Sequence, residues 1–313
     1  MGEFELIRRY FLPLSEAFRH PEVVLGPGDD CAIQRVAAGR DLVFSIDTLV
    51  EGVHFPLGYA PQKLGWRSLA VAASDLAAMG ADPVCFTLAM TLPEAEPQWL
   101  ESFSLGLQEA SRTFGLSLAG GDTTRGPLSL TLQVQGSVPV NGAIKRSGAR
   151  LGDLICVSGT LGDAGAALDL LDVDSPTEQQ AQLLAHYHRP EPRISLGNAL
   201  RGIASAAIDV SDGLVADLEH LLEASGVAGR VDMRLLPLSS ALTALRADAT
   251  DLALHAGDDY ELCVTLPEGC LAALPDAVRE ELTVIGAVHS GRGLSLDGLT
   301  ETTGREGYDH FRS

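Results

Sequence analysis

A segment of alternating residues, LVFSIDTLVEGVHF from Leu42 to Phe55, restricts the fold more than any other part of this sequence. Every second residue from 42 to 46 is strongly apolar, and this period of two predicts a β-strand that is buried on at least one face. The strand is expected to end at Asp47, with Glu51 and His54 following it. An acidic residue at a strand end either caps a turn or directs an oxygen into a cleft, so the segment alone leaves two explanations open.

Aspartates recur in similar positions along the chain. They lie at the ends or glycine hinges of apolar segments, or within a helix of small residues: Asp29, Asp30, Asp47, Asp75, Asp122, Asp209 and Asp212. Each one could be an ordinary turn or capping residue. If they converge, their mutual repulsion requires cations, and oxygen ligands without His or Cys clusters favour Mg²⁺, Ca²⁺ or Mn²⁺ over zinc. Several Mg²⁺ ions beside glycine-rich loops would suggest a nucleoside triphosphate as the bound anion.

The composition of the chain disfavours some classes of binding partner. The chain has 313 residues, with 22 Lys and Arg against 42 Asp and Glu, for a net charge of −20. No basic cluster interrupts this charge, which argues against nucleic acids and anionic membranes as partners. The five cysteines form no C-x-x-C pair, and neither a signal peptide nor an apolar run of about 18 residues is present. These features predict a cytoplasmic protein.

Helix signals and a change in composition predict the domain organisation. Proline starts and glycine stops predict helices over Pro61–Met79 and Pro97–Phe114. A short strand is expected over Leu116–Ala119, ending at the glycines before Asp122. The glycine-rich, locally basic stretch Gly136–Gly152 suggests a boundary between domains at 1–148 and 149–313.

The sequence lacks the motifs of several common enzyme classes. It contains no G-x-x-x-x-G-K-[ST] loop, no H-R-D or D-F-G kinase set, no G-x-S-x-G and no H-E-x-x-H. An enzyme that uses ATP with this sequence therefore needs a different architecture.

Seven motifs follow one another along the chain: GDDCA, SIDTLVEGVHF, SDLAAMGADP, GGDTTRGPLS, KRSGARLGD, IDVSDGL and GDDYEL. Together they closely resemble the thiamine-monophosphate kinase family, which shares its fold with aminoimidazole ribonucleotide synthetase and selenophosphate synthetase. The resemblance runs from Gly2 to Phe311. It implies an α+β protein of two domains, with a mixed or antiparallel N-terminal sheet carrying helices on one face and a C-terminal α/β sandwich. It also implies a homodimer through the N-terminal strands, ATP and several Mg²⁺ ions in a cleft between the domains, and leaves a K⁺ requirement open.

The resemblance also implies roles for particular residues. The metal-binding set corresponds to Asp30, Ser45, the backbone of Ile46, Asp47, Asp75, Asp122, Asp209 and Asp212. The ATP contacts correspond to Gly121, Asp122, Arg146 and Ser211. The positions that hold thiamine monophosphate correspond to His54, Glu261 and Tyr308. Family members often carry Trp where Tyr308 stands, and the aromatic plane needed for stacking on a cationic ring is kept.

The implied reaction is transfer of a phosphoryl group onto a phosphate. The acceptor has a second pKa of about 6 and is already an anionic nucleophile at neutral pH, so no strong general base is required. Asp30, Asp75 and Arg146 are therefore expected to act through charge neutralisation and in-line placement. Two alternatives compete with this hypothesis: activation of a carbonyl oxygen by ATP for ring closure, and a non-catalytic metal-binding or nucleotide-binding protein.

Overall fold

The computed structural model describes residues 2–298, and the chain divides into two compact units. Unit 1 comprises Met1–Leu76 and Ala81–Asn141, and unit 2 comprises Ala77–Gly80 and Gly142–Ser313. Each unit has its own β-sheet and its own buried apolar side chains. The boundary expected between residues 148 and 149 stays a prediction.

Unit 1 combines helices with a mixed sheet. Its helices are α1 (Glu3–Leu6), α2 (Leu12–Ala17), α3 (Pro61–Ala78) and α4 (Pro97–Phe114), with a π-helical turn at Ile7–Phe11. Its strands are β1 (Val23–Leu25), β2 (Ile33–Gln34), β3 (Arg40–Val50), β4 (Asp82–Leu92), β5 (Ser117–Arg125) and β6 (Ser129–Pro139). The four-stranded sheet has the order β3-β6-β4-β5, in which β4 and β5 are parallel and the other pairs antiparallel. The predicted mixed sheet is confirmed.

The two long helices of unit 1 were predictable from their ends and their apolar stripes. Helix α4 begins after Glu96, whose carboxylate accepts the backbone N–H groups of residues 98 and 99, and ends at the left-handed Gly115. Helices α3 and α4 approach each other closely at two glycines. A Cβ at Gly65 would lie 2.3 Å from the Phe103 carbonyl oxygen, and one at Gly106 would lie 1.9 Å from the Gln62 carbonyl oxygen. Only glycine permits this approach.

Two expectations about strand ends are wrong. Strand β3 continues to Val50, so Asp47 lies inside the strand, where it pairs with Leu132 of β6. Strand β5 does not end at Ala119 but continues through Asp122 to Arg125, because β4 pairs with it in parallel over that whole length. A partner strand distant in sequence supplies the hydrogen bonds that extend both strands, and local glycines do not override it.

One face of the unit 1 sheet is apolar and exposed. Along β3, Leu42, Phe44 and Ile46 are 45%, 63% and 63% exposed, whereas Ser45 and Asp47 point to the other face and are partly buried. Helix α3 lies on the Ser45 face, since the Ser45 hydroxyl bonds to Asp75 of that helix. The predicted arrangement of helices on one face is therefore confirmed, and the most apolar side chains of β3 lie on the opposite face.

Unit 2 is a sheet with helices on both faces. Its strands are β7 (Asp153–Ser158), β8 (Ala206–Val210), β9 (Ala228–Asp232), β10 (Glu261–Pro267), β11 (Leu282–His289) and β12 (Gly293–Asp297). Its helices are α5 (Asp163–Ala167), α6 (Glu178–His188), α7 (Ile194–Leu200), α8 (Leu214–Ser225), α9 (Ser240–Leu245), α10 (Ala249–His255), α11 (Glu268–Leu271) and α12 (Asp276–Arg279), with 3₁₀ turns at Leu168–Leu170 and Met233–Leu235. The sheet order is β12-β9-β11-β7-β10-β8.

Alternate residues of β7 enter two separate cores, which confirms the predicted sandwich. Ile155 and Val157 belong to the core that contains α8, and Cys156 belongs to the core that contains α7. All five cysteines are free thiols. Over the part of the chain that is described, no helix combines the length and apolar character needed to cross a lipid bilayer.

Candidate active site

The centre of the candidate site in unit 1 is a pair of carboxylates between β3 and α3. The Ser45 hydroxyl donates a hydrogen bond to Asp75 Oδ2, and Asp47 lies on the same face of β3. Burial, and to a smaller extent the nearby charge of Asp75, raise the pKa of Asp47 from 3.8 to about 6. The three oxygen-bearing side chains therefore form a negatively charged patch that a cation would stabilise.

The raised pKa of Asp47 predicts how stability changes with pH in protein kept free of divalent cations. An acid whose folded pKa exceeds its unfolded value stabilises the fold at low pH, and this contribution is lost as pH rises from about 4 to about 6. We expect a loss of about 1–2 kcal/mol, less than the full shift implies, because Asp47 is only partly buried. Melting temperatures in EDTA from pH 4 to pH 7 measure it.

The Asp47→Asn variant is the control for that measurement, because it removes only this titration. Its melting temperature should fall less between pH 4 and pH 6 than that of the wild type. Equal pH dependence of the two proteins would contradict the assignment of the raised pKa to Asp47.

The glycine-rich loop between β1 and β2 holds two further acidic residues, Asp29 and Asp30. Asp29 and Asp30 are exposed, and the Asp30 backbone N–H donates to Asp29 Oδ1 at 2.8 Å. Gly28 has a φ of 121°, a conformation that favours glycine. The loop therefore presents carboxylates to solvent.

The strand pairing places Asp122 on the opposite sheet face from Asp47. Asp122 pairs with Ala89, which pairs with Thr131, which pairs with Thr48, the residue after Asp47. Successive residues of a strand point to opposite faces. Asp122 is thus exposed on the apolar face of the sheet, next to Gly121, where a Cβ would lie 2.1 Å from the Leu88 carbonyl oxygen. The backbone of Ile46 forms part of the β3–β6 pairing.

His54 lies on the turn that follows β3. Its imidazole Nδ1 accepts the Val50 backbone N–H at 3.0 Å, and the His54 backbone N–H donates to the Val50 carbonyl at 3.0 Å. Because Nδ1 is an acceptor, a neutral His54 carries its proton on Nε2. The imidazole is therefore oriented to donate a hydrogen bond rather than to accept a proton at Nδ1.

In unit 2, the acidic loop after β8 is held rigidly in place. Asp217 of α8 accepts the backbone N–H groups of Ser211 and Asp212 at 2.9 and 3.0 Å. On its other side, the Asp258 N–H donates to the Ser211 carbonyl at 2.9 Å. Asp209 is buried near the end of β8. With their amides occupied, Ser211 and Asp212 offer side-chain oxygens to a ligand, which suits a cation better than an anion.

Asp217 was not anticipated from the sequence. Its carboxylate is buried, which raises its pKa to about 6 even though the two amides oppose the shift. An acid in the first turn of a helix is common, so its position alone gave no signal that it binds the preceding loop.

Arg146 lies far from that loop within unit 2. Its carbonyl accepts the hydroxyl of Ser225 at 3.0 Å, and Ser225 is the last residue of α8, whereas Asp212 precedes the first turn. A helix of this length spans roughly 18 Å. The Arg146 side chain is exposed and makes no ion pair with any residue from 2 to 298.

Glu261 is enclosed by a set of donors in unit 2. Arg193 Nε and Nη2 bond to its two oxygens at 2.7 and 2.5 Å, and the Ser158 hydroxyl donates to Oε2 at 2.5 Å. Arg193 is a second residue that sequence reasoning missed, since its partner is distant in the chain. Tyr308 lies outside the described residues.

The sequence-predicted residues therefore fall into separate groups. The structure brings Ser45, Asp47 and Asp75 together, and separately Asp209, Ser211 and Asp212. It does not place Asp122 with the first group or Arg146 with the second. Across residues 2–298, no three His, Cys, Asp or Glu side chains lie close enough together to hold a metal ion by themselves. Roles for the individual site residues stay predictions.

Comparison with known proteins identifies the class. Residues 28–138 match the AIR synthase related protein, N-terminal domain, and residues 150–298 match the AIR synthase related protein, C-terminal domain. The chain is thus a two-domain protein of the AIR synthase related class, as its fold and acidic loops indicate.

Full-length relatives give the particular family. A thiamine-monophosphate kinase of Salmonella typhimurium is 46% identical, over 99% of this chain and 98% of its own. The crystal structure of the Stenotrophomonas maltophilia thiamine-monophosphate kinase has a TM-score of 0.88 at 44% identity, over 95% of this chain and 97% of its own. The structure of AaThiL complexed with AMPPCP and TMP has a TM-score of 0.81 at 32% identity, over 99% and 97%. The chain belongs to the thiamine-monophosphate kinase family, which confirms the resemblance seen in its motifs.

Proposed function

We propose that this protein phosphorylates thiamine monophosphate to thiamine diphosphate with ATP, by direct in-line transfer, as the last step of thiamine diphosphate biosynthesis. The observation that carries the proposal is the full-length match to kinases of this name, one of which has been solved with AMPPCP and TMP. AMPPCP is an ATP analogue, so that complex pairs the two substrates expected here. A cytoplasmic location is part of the proposal and fits five free thiols.

The residues fit several Mg²⁺ ions. The expected donors are hard oxygens: Asp30, Ser45, the backbone of Ile46, Asp47, Asp75, Asp122, Asp209 and Asp212. Such a set favours Mg²⁺ over zinc. The pKa of Asp47 is raised by burial and then by the nearby charge of Asp75, and a bound cation would offset that charge. Bound Mg²⁺ would supply neutralisation of the charge on the donor and acceptor phosphates.

The protein's own residues would bind and align the two anions. Asp75 and Asp30 would hold the Mg²⁺ ions that neutralise the two phosphates. Arg146, Gly121 and Ser211 would hold ATP. The acceptor phosphate needs no general base because it is already ionised at neutral pH. Consistent with this, His54 is oriented as a hydrogen-bond donor, which suits a role in binding thiamine monophosphate together with Glu261 and Tyr308.

A homodimer through the exposed face of the unit 1 sheet is part of the proposal. That face carries Leu42, Phe44 and Ile46, and exposed apolar patches of this kind mark association surfaces. Asp122 lies on the same face. Pairing two copies through this face would place Asp122 of each copy at the interface.

An assay that resolves its products tests the proposal. ATP, Mg²⁺ and thiamine monophosphate are expected to yield ADP and thiamine diphosphate in equal amounts, with no ADP when thiamine monophosphate is omitted. ADP without thiamine diphosphate would indicate an uncoupled ATPase or another acceptor. No ADP across a range of Mg²⁺ and K⁺ concentrations would support a binding protein and contradict the kinase.

A further inference from the structure

The carboxylate of Glu261 has an unusual set of partners for a residue expected to bind substrate. Its side chain is only 3% exposed, and that of Arg193 is 28% exposed. The guanidinium makes two parallel bonds to the carboxylate, one to each oxygen, and this fork is the geometry that a planar guanidinium favours. Ser158 is fixed in turn, because its oxygen accepts the Leu262 backbone N–H at 2.8 Å.

A count of hydrogen-bond positions shows what Glu261 can still do. A carboxylate offers about four acceptor positions, two on each oxygen. Three are used by donors among residues 2–298: Oε2 accepts Arg193 Nε and the Ser158 hydroxyl, and Oε1 accepts Arg193 Nη2. One position, on Oε1, has no donor among those residues.

Gly159 lies directly against that oxygen. A Cβ at this position would lie 2.1 Å from Oε1 and 2.7 Å from Oε2, and the residue has a φ of +52°. Both the conformation and the space therefore require glycine. The glycine backbone therefore packs against the carboxylate, and any side chain at this position would displace it.

The Arg193–Glu261 pair also lies beside the acidic loop of unit 2. Strand β10 pairs with β8 so that Glu261 is opposite Val210 and Leu262 is opposite Asp209. Glu261 therefore begins its strand next to the point where β8 ends and the loop of Ser211 and Asp212 begins. A substrate group at Oε1 would lie at the same edge of the sheet as that loop.

We propose that Arg193 is a positioning residue for substrate recognition: together with Ser158 and Gly159, it holds Glu261 so that Oε1 presents one acceptor to an N–H donor of the substrate. This inference rests on the proposed function, and the donor it assigns is the exocyclic amino group of the aminopyrimidine ring of thiamine monophosphate. The thiazolium ring and the phosphate have no N–H group. Without the fork of Arg193, the carboxylate can rotate and its remaining acceptor is no longer directed.

The Arg193→Lys variant tests the proposal, because lysine keeps the charge but cannot form two parallel bonds. We expect KM for thiamine monophosphate to rise about 10-fold, with kcat and KM for ATP within about 2-fold of wild type. Arg279→Lys is the matched control, since Arg279 also pairs with a carboxylate, Asp276, on an exposed helix. That control should leave all three constants unchanged.

A substrate analogue distinguishes positioning from general damage. In oxythiamine monophosphate a carbonyl oxygen replaces the amino group, so the wild type should use it at least 10-fold less efficiently, and Arg193→Lys should reduce this preference. If Arg193→Lys does not fold, Ser158→Ala, which removes one of three donors, should raise KM for thiamine monophosphate about 3-fold.

The experiment distinguishes a failure of the proposed function from a failure of the role of Arg193. A wild-type enzyme that makes no thiamine diphosphate would overturn the proposed function itself. If the wild type is active, three results would overturn only the role of Arg193. The variants would keep the wild-type KM for thiamine monophosphate, or they would lose affinity for ATP as much as for thiamine monophosphate, or they would keep the full preference for the amino compound.

Discussion

The Asp75→Asn variant is expected to lose at least about 1,000-fold in kcat for thiamine diphosphate formation, which corresponds to about 4 kcal/mol of transition-state stabilisation. Asp75 lies near Asp47 and accepts the Ser45 hydroxyl, so its charge is part of the negatively charged patch between β3 and α3. Asparagine has nearly the same shape and can still accept that hydroxyl, so only the charge changes. The measurement is single-turnover formation of thiamine diphosphate at saturating ATP and Mg²⁺.

Stability should change in the opposite direction, and this separates a catalytic effect from unfolding. Removing the Asp75 charge relieves its repulsion with Asp47, so the variant should melt at a higher temperature than wild type in EDTA at pH 7.5. Asp41→Asn is the matched control, because the Asp41 side chain, on β3, is exposed and accepts only the Asn141 backbone N–H. Full turnover by Asp75→Asn would refute the proposed role, whatever its stability.

Elements with strong local signals were predictable from the sequence. Helix α4 occupies the predicted range, Pro97–Phe114, because the proline start, the apolar spacing and the Gly115 stop all act within the helix itself. The apolar stripe of α3 is fully buried for the same reason: Leu64, Leu69, Ala72, Ala73 and Leu76. The proximity of Asp47 and Asp75, two residues of the implied metal set, also agrees with the structure.

Features that depend on distant pairing were not predictable. A period of two along β3 shows that Leu42 and Ile46 share a face, but not whether that face is covered. The length of β5 depends on β4, so the position of Asp122 inside a strand could not be read from its glycines. Arg193 and Glu261 both lie in the C-terminal half of the chain but are distant in sequence. Only folding brings their charges together. The sequence motifs thus identified residues of the candidate site. The sheet face on which each residue lies and the residues that it contacts depend on strand pairing.

The exposed face of β3 gives the second large prediction. The Phe44→Glu variant is expected to weaken self-association at least about 100-fold, or about 2.7 kcal/mol. Phe44 is 63% exposed in the single chain, and in a two-fold symmetric dimer each copy would contribute a buried carboxylate with no partner. Sedimentation velocity over a range of protein concentrations measures the effect.

Activity should follow association in this variant, because Asp122, an expected ATP contact, lies on the same sheet face as Phe44 and would lie at the interface of such a dimer. Specific activity of Phe44→Glu should therefore fall on dilution to concentrations at which the wild type is still dimeric and active. Phe4→Glu is the control, since Phe4 is 72% exposed on α1 and the same substitution there should leave both association and activity unchanged. A monomeric Phe44→Glu protein with full activity would contradict the proposed dependence of activity on association.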